Sequence, residues 1–309
     1  MRNLLLKLFA FTLMTSISTV NAQTILSGIE GASNFRIAQD IKDYTGIKTL
    51  DIKSSSGSVE NFNNVKAGTI AFVQYDVLQQ EAWNDLTNIT NRTDDIKVLL
   101  SLGNEEIHLV AHTESNIGSI RDLNDPNIKV GIGSKDQGTA VTALIIKQQT
   151  ECKWTDVNLS FKESIKALLT REIDAFFFVG SAPVAAFKPF SLLSPANQKK
   201  IKLISISDTR LKEIYGEPVR ILRTTYDWAP YDVTTYAVIS LLVTKTTGET
   251  AEQQKQIKEL LSAIKTNVIN LQKDGHPQWR QVAFNFNKID WPVHSVADEV
   301  FKKKKPGEN

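Results

Sequence analysis

The sequence predicts an α/β protein with two lobes, a hinge and a ligand cleft between the lobes. Strand-like and helix-like segments alternate throughout the chain, which is typical of layered α/β folds. Two long β-branched runs, Ile107–Ala111 and Tyr236–Val243, bracket the middle of the chain. If both runs cross between lobes, the first lobe contains residues 23–111 and 236–309, and the second contains residues 112–235. Such lobes close around a ligand by rotation.

The first 22 residues have the pattern of a cleavable export signal. Arg2 and Lys7 flank the apolar run Leu4–Met14, and the small residues of Val20–Ala22 predict cleavage after Ala22. No other segment approaches the roughly 18 apolar residues of a membrane-spanning helix. We therefore expect an exported protein located in the periplasm. A buried N-terminal helix is the alternative interpretation of residues 1–22.

Composition and charge argue against nucleic acid as a partner, and the cysteine count argues against a disulfide and a lipid anchor. The mixture of 41% hydrophobic and 23% charged residues is that of a globular protein without biased segments. Removal of residues 1–22 takes away Arg2 and Lys7, which reduces 36 Lys and Arg to 34 and matches the 34 Asp and Glu. A neutral mature chain gives no indication of nucleic-acid binding. The single cysteine, Cys152, excludes an internal disulfide and lies too far from the cleavage site to carry a lipid anchor.

Two polar segments have the composition of anion-binding helix starts. Ser54–Asn61 supplies serines and a glycine before the predicted helix Val59–Ala67. Gly133–Thr139 is a similar glycine-bounded loop before the predicted helix Ala140–Gln149. Free N–H groups and the helix dipole favour an oxyanion at such positions. Ordinary serine caps without a ligand are the alternative.

Neither a nucleotide cofactor nor a metal ion is expected. In the loop Gly133–Thr139, Thr139 occupies the position where a phosphate-binding P-loop needs lysine, and Asp136 interrupts a dinucleotide-binding fingerprint. His108 and His112 are four residues apart in a segment that reads as a strand, which separates them by roughly 13 Å. That distance is too long for a shared metal ion.

The sequence also contains no recognisable catalytic set. No G-x-S-x-G nucleophile elbow occurs, and Cys152 has no histidine near it in the chain. The adjacent carboxylates Glu105 and Glu106 lie in a polar stretch, where we expect them to be solvated. These observations favour reversible binding over catalysis.

The run Ile173–Val179 predicts a strand that is covered on both faces, because its apolar residues are continuous. Successive side chains of a strand alternate, so Phe177 should point away from the face that Phe176 and Phe178 share. Ligands of open α/β sheets bind at the carboxyl ends of strands. Gly180 and Ser181, with Phe178, are therefore candidate cleft residues.

Several motifs occur together in the order seen in one transport family: Ser54–Asn61, Phe72–Asp76, Gln137–Thr139, Ile173–Pro183 and Ile289–His294. In this set the chain resembles the TAXI family, the solute-binding subunits of tripartite ATP-independent periplasmic (TRAP) transporters. The resemblance covers nearly the whole mature chain. It implies a two-lobed type II periplasmic-binding-protein fold without catalysis.

The resemblance also implies a function and a site. The protein would capture a small organic anion, a carboxylate or an amino acid such as glutamate or 2-oxoglutarate. It would deliver that anion to a TRAP membrane permease subunit driven by an ion gradient. The positions that match the family's cleft are Ser33, Ser56, Gly57, Ser58, Gln74, Asp76, Gly138, Thr139, Phe178, Gly180 and Ser181.

The sequence departs from the family pattern in the segment Gly28–Phe35, which ends in phenylalanine where the family has tyrosine, in the loop residues Lys135–Gln137, and at Ala140. Ala140 stands where relatives frequently carry a basic residue, which leaves helix termini and hydroxyl groups to hold a carboxylate. A transferase-like enzyme on a similar two-lobed, anion-binding scaffold is the main alternative function. A membrane-tethered sensor is a third interpretation, disfavoured by the lack of a predicted anchor.

Overall fold

A computed structural model of the chain describes residues 23–191 and 193–302, so the predicted export signal lies outside the described residues. The strands are β1 (Thr24–Leu26), β2 (Asp51–Lys53), β3 (Thr69–Gln74), β4 (Ile96–His112), β5 (Lys129–Gly131), β6 (Thr155–Val157), β7 (Ala175–Gly180), β8 (Ile201–Ile204), β9 (Val219–Ile221), β10 (Val233–Thr235) and β11 (Ala237–Lys245).

The helices alternate with these strands, as the sequence predicts. They are α1 (Ser33–Thr45), α2 (Ser58–Asn64), α3 (Tyr75–Asn88), α4 (Gly138–Thr150), α5 (Phe161–Leu169), α6 (Lys188–Ser191), α7 (Pro195–Gln198), α8 (Lys212–Tyr215), α9 (Ala251–Asp274) and α10 (Ser295–Phe301). Short 3-10 turns lie at Thr113–Ser115, Ile120–Leu123, Ala185–Phe187, Thr209–Leu211 and Pro277–Gln281. None of the helices in the described part of the chain is long and apolar enough to cross a membrane.

The two lobes repeat one strand arrangement. In the first lobe the order is β2-β1-β3, all parallel, followed by the antiparallel strand β11. In the second lobe the order is β6-β5-β7, again parallel, followed by the antiparallel strand β4. The connections in each lobe carry helices, as parallel strands require. The carboxyl ends of the parallel strands are therefore equivalent positions in the two lobes.

One strand pair crosses both lobes. β4 and β11 run antiparallel, from the pair Ala237 and Glu106 to the pair Lys245 and Ile96. That both elements cross between lobes stays a prediction, and the continuous pairing of β4 with β11 supports it. Residues 97–102 and 106–112 each have the sequence pattern of a separate strand, but the structure has one strand of 17 residues. Gly103 adopts a φ of +102°, so the strand bends there without ending.

Buried apolar side chains form separate clusters in the two lobes. The buried members of two clusters come from residues 25–102 and 241–301. Those of the other two clusters come from residues 107–238. The division of the chain between lobes at residues 111 and 236 stays a prediction. We propose that β4 passes from the first lobe to the second a few residues nearer its middle, where its buried side chains change from the first-lobe clusters to the second-lobe clusters.

Local sequence explains why the flanking elements form. α9 begins at a capping box, in which the Thr250 hydroxyl oxygen accepts a hydrogen bond from the Gln253 N–H and the Gln253 side-chain oxygen accepts one from the Thr250 N–H. Its buried residues recur at helical spacing and pack in the first lobe. In β7 the alternation is as predicted, because Phe177 packs in one cluster of the second lobe and Phe176 packs in the other.

Candidate functional site

A cavity of about 70 Å³ lies between the lobes, at the carboxyl ends of the parallel strands. This position is where open α/β sheets bind ligands. The volume is small beside the roughly 300–1,000 Å³ of typical ligand pockets, so the lobes enclose a restricted space. The predicted site residues that line it are Ser33, Ser56, Gly57, Ser58, Gln74, Gly138, Thr139, Phe178 and Gly180.

The first-lobe wall is the junction between β2 and α2. The Ser56 N–H donates to the Glu60 carboxylate at 2.7 Å, which fixes the turn before the helix. Gly57 then adopts a φ of +146°, which side-chain-bearing residues rarely reach. The Ser58 hydroxyl oxygen accepts a hydrogen bond of 3.1 Å from the Gln74 N–H. The hydroxyl group of Ser58 is therefore oriented by β3 and keeps its own proton for donation.

The second-lobe wall is the start of α4. The Gln137 side-chain oxygen accepts from the Ser134 N–H at 3.0 Å and holds the loop in place. The Thr139 hydroxyl oxygen accepts from the Val179 N–H on β7 at 3.2 Å. Like Ser58, Thr139 is anchored through its oxygen and retains a donor proton. The first backbone N–H groups of α4 lie at the same place.

The two walls are in direct contact. A β-carbon on Gly57 would lie 3.4 Å from the Gln137 Cα, and one on Gly138 would lie 3.1 Å from the Ser58 Cβ. The Glu60 N–H also donates to the Asp136 carbonyl at 3.1 Å across the lobes. The two polar segments singled out in the sequence therefore meet, with the lobes closed on each other.

Glu105 is a cavity residue that the sequence prediction missed. Expected to be solvated, it is only 2% exposed, and it lines the cavity. The Gln74 side-chain N–H donates to its carboxylate at 2.6 Å. Burial raises the pKa of Glu105, and the hydrogen bonds from Gln74 and Asn34 oppose that rise. The prediction that Glu105 is solvated was wrong, because Gly103 and Asn104 have the sequence pattern of a turn, whereas β4 continues through them into the interior.

Glu106 points away from Glu105 on the same strand and is also largely buried. Its carboxylate accepts from the Ala182 N–H at 2.7 Å. Burial raises the pKa of Glu106 to about 7. Ser181, beside this contact, is 1% exposed and does not line the cavity, although the sequence placed it in the cleft.

Asp76 lies outside the cavity and joins the lobes at a different point. On α3, it is 2% exposed, and one carboxylate oxygen accepts hydrogen bonds from the Thr142 hydroxyl at 2.6 Å and the Tyr215 hydroxyl at 3.3 Å. Both donors belong to the second lobe. Burial raises the pKa of Asp76 to about 6, against the lowering effect of these two hydroxyls.

The histidines have structural contacts. His108 and His112 both lie on β4, as the strand prediction required. The His108 ring bonds to the Tyr226 hydroxyl at 2.9 Å inside the second lobe, and burial lowers the pKa of His108 to about 4. Within residues 23–191 and 193–302, no group of three or more His, Cys, Asp or Glu side chains is arranged to hold a metal ion.

The two lobes, the crossing strands and the cavity between the lobes define the two-lobed type II periplasmic-binding-protein fold. A solved structure described as that of a periplasmic transporter shares 12% identity with a TM-score of 0.50, covering 82% of this chain and 86% of its own. MatC from Rhodopseudomonas palustris with bound malate also shares 12% identity with a TM-score of 0.50, covering 82% of this chain and 89% of its own. At such identities the likeness shows the fold.

The sequence profile of the NMT1-like family matches residues 32–281, so the chain belongs to the NMT1-like family. The matched segment includes most of both lobes and, apart from Gly28 and Ile29, the residues that line the cavity.

The buried carboxyl of Asp76 predicts a specific pH dependence. Its folded-state pKa of about 6 lies above the ordinary 3.8, so its contribution to stability is full below pH 4 and is lost as the pH rises through 6. Asp76→Asn removes this titration. The free energy of unfolding of the variant, relative to the wild type, should rise by about 2 kcal/mol between pH 4 and pH 8.

Urea unfolding at several pH values measures this difference. Leu86→Ala, at an exposed position of the same helix α3, is the control, because it changes no titratable group and should leave the pH profile unchanged. A difference between Asp76→Asn and wild type that does not vary with pH would contradict the prediction.

Proposed function

We propose that the protein is the solute-binding subunit of a TRAP-type transporter of the TAXI kind. It captures a small organic anion, a carboxylate or an amino acid, between its lobes and delivers it to a membrane permease. The observation that carries the proposal is the closed cavity, to which both lobes contribute hydroxyl groups and helix starts. The order of the TAXI-like motifs along the sequence supports the choice of transporter type.

Hydroxyl and backbone N–H groups take the place of a basic residue in the proposed site. Among the residues described, no Lys or Arg lines the cavity, and Ala140 on α4 is 5% exposed. The N-termini of α1 and α4 both open on the cavity. Their N–H groups, with the hydroxyls of Ser33, Ser58 and Thr139, can hold one carboxylate. Asp76 and Ser181 are left out of the binding set because they lie outside the cavity.

Closure is the step that would connect binding to transport. In this proposal β4 and β11 act as the hinge, since they run through both lobes. Ligand binding favours the closed arrangement, because contacts from both walls are made only there. The closed surface is then the form that the permease recognises.

Binding without turnover is the first expected result. Isothermal titration of the mature protein with L-glutamate, 2-oxoglutarate, malate and neutral amino acids should give saturable one-to-one binding for at least one compound. Mass spectrometry before and after incubation should find that compound unchanged. Conversion of the bound compound to a product would contradict the proposal, as would the absence of binding across the set.

Gly138→Ala should weaken ligand binding by blocking closure. The added β-carbon would lie 1.7 Å from the Gln74 side-chain oxygen and 3.1 Å from the Ser58 Cβ in the closed lobes. The lobes themselves should still fold, because the clash arises between them. We expect at least a tenfold weaker Kd, about 1.4 kcal/mol, with an unfolding midpoint near that of the wild type.

Gly118→Ala is the matched control for this substitution. Its β-carbon would meet only the Asp122 carboxylate, at an ordinary 3.6 Å. Titration of both variants with the compound that binds the wild type compares them directly. Equal affinity of Gly138→Ala and wild type would show that the observed contact between the walls is not needed for binding.

The transporter type has a separate test. In proteoliposomes that contain the cognate TRAP permease, uptake of the radiolabelled ligand should require both this protein and an imposed sodium gradient. ATP should have no effect. Uptake that needs ATP and ignores the gradient would assign the protein to a different class of transporter and leave the binding proposal intact.

A further inference from the structure

We propose that Glu105 determines ligand specificity by pairing with an ammonium group of the ligand. The ligand class is then the zwitterionic amino acid, and oxo acids and dicarboxylates without an amine are excluded. This inference rests on the proposed function, and it narrows the ligand that the interlobe cavity accepts.

Glu105 has the position that a specificity residue requires. It lies on β4 opposite Val238 of β11, at the level where the two crossing strands pass between lobes. Its side chain is 2% exposed and reaches the cavity. The bond of 2.6 Å from the Gln74 side chain fixes its carboxylate. Any ligand enclosed by the lobes therefore meets a carboxyl group that cannot turn away into solvent.

The Glu105 carboxyl determines the charge of the cavity wall. Glu105 is the one ionisable side chain among the described residues that line the cavity, and no lysine or arginine accompanies it there. A buried carboxylate without a counter-charge is costly, and it is stabilised by pairing with a cation. Burial raises the pKa of Glu105 in the absence of a ligand. A ligand ammonium supplies the missing positive charge.

An amino acid satisfies both kinds of group in the cavity. Its ammonium donates to the Glu105 carboxylate, while its carboxylate accepts from the N–H groups at the starts of α1 and α4 and from Thr139. A dicarboxylate would place a second negative charge in the same enclosed space as Glu105. Like charges at short distance in a buried site repel strongly.

A neutral, protonated Glu105 that donates to a ligand carboxylate is the opposing interpretation. The two differ in the effect of Glu105→Gln. Glutamine keeps the shape and offers N–H donors, but it has no negative charge. The substitution weakens binding if the partner is an ammonium, and it preserves or strengthens binding if the partner is a carboxylate.

The test begins with matched pairs of probes. Each amino acid is compared with the 2-oxo acid of the same carbon skeleton, for example L-glutamate with 2-oxoglutarate and L-alanine with pyruvate, by thermal shift and then by calorimetric titration. We expect one or more amino acids to bind, and their 2-oxo partners to bind at least about thirtyfold more weakly, the lower end of losses for a buried charge pair.

Glu105→Gln is then titrated with the amino acid that binds best. We expect a loss of at least about thirtyfold in affinity. Glu106→Gln is the matched control, because Glu106 neighbours Glu105 on β4 but does not line the cavity, and it should bind as the wild type does. The probe pairs decide the question even if Glu105→Gln fails to fold.

The failures are distinguishable. A 2-oxo acid or a dicarboxylate that binds as tightly as its amino counterpart overturns the role of Glu105 and leaves the proposed function standing. Unchanged or tighter binding by Glu105→Gln has the same consequence. Failure of every amino acid and oxo acid to bind overturns this inference together with the proposed function.

Discussion

The structure depends above all on the pairing of β4 with β11. These antiparallel strands extend through both lobes, and each also joins the parallel strands of one lobe, β11 beside β3 and β4 beside β7. The β4–β11 pair is therefore both a part of the core sheet in each lobe and the connection between the lobes. Bending at Gly103 and the register shifts after Ser240 and Leu242 give this pair its irregular middle. The cavity lies beside that middle section.

The junction between the lobes is polar where the interior of each lobe is apolar. Asp76 accepts hydroxyl hydrogen bonds from the second lobe, Glu105 is held by Gln74, and Glu106 is held by the Ala182 N–H. Buried polar contacts of this kind add little net stability, because the groups lose hydration when the lobes meet. They suit an interface that must open and close. The same burial raises the pKa of each of these carboxyl groups.

Features that depend on neighbouring residues in the chain could be predicted well. The serine segment before α2 and the glycine loop before α4 were recognisable because helix starts have local requirements. The opposite faces of Phe176 and Phe177 followed from the alternation of a strand. The burial of Glu105 could not be predicted, because a polar residue beside Gly103 and Asn104 has the same local sequence pattern in an exposed turn and in a bent, buried strand. Helix α3, which carries Asp76, was not predicted, because its apolar residues form no clear stripe at helical spacing.

The sequence by itself determined the α/β alternation, the crossing runs and the two polar helix starts, because each of these is encoded by spacing over a few residues. Only the tertiary structure decided that the two starts touch, that β4 is continuous, and that Glu105 faces the cavity while Asp76 and Ser181 do not. Those outcomes arise from contacts between residues distant in the chain. Burial and pKa depend on what packs against a group from the other lobe, and no local pattern contains that information.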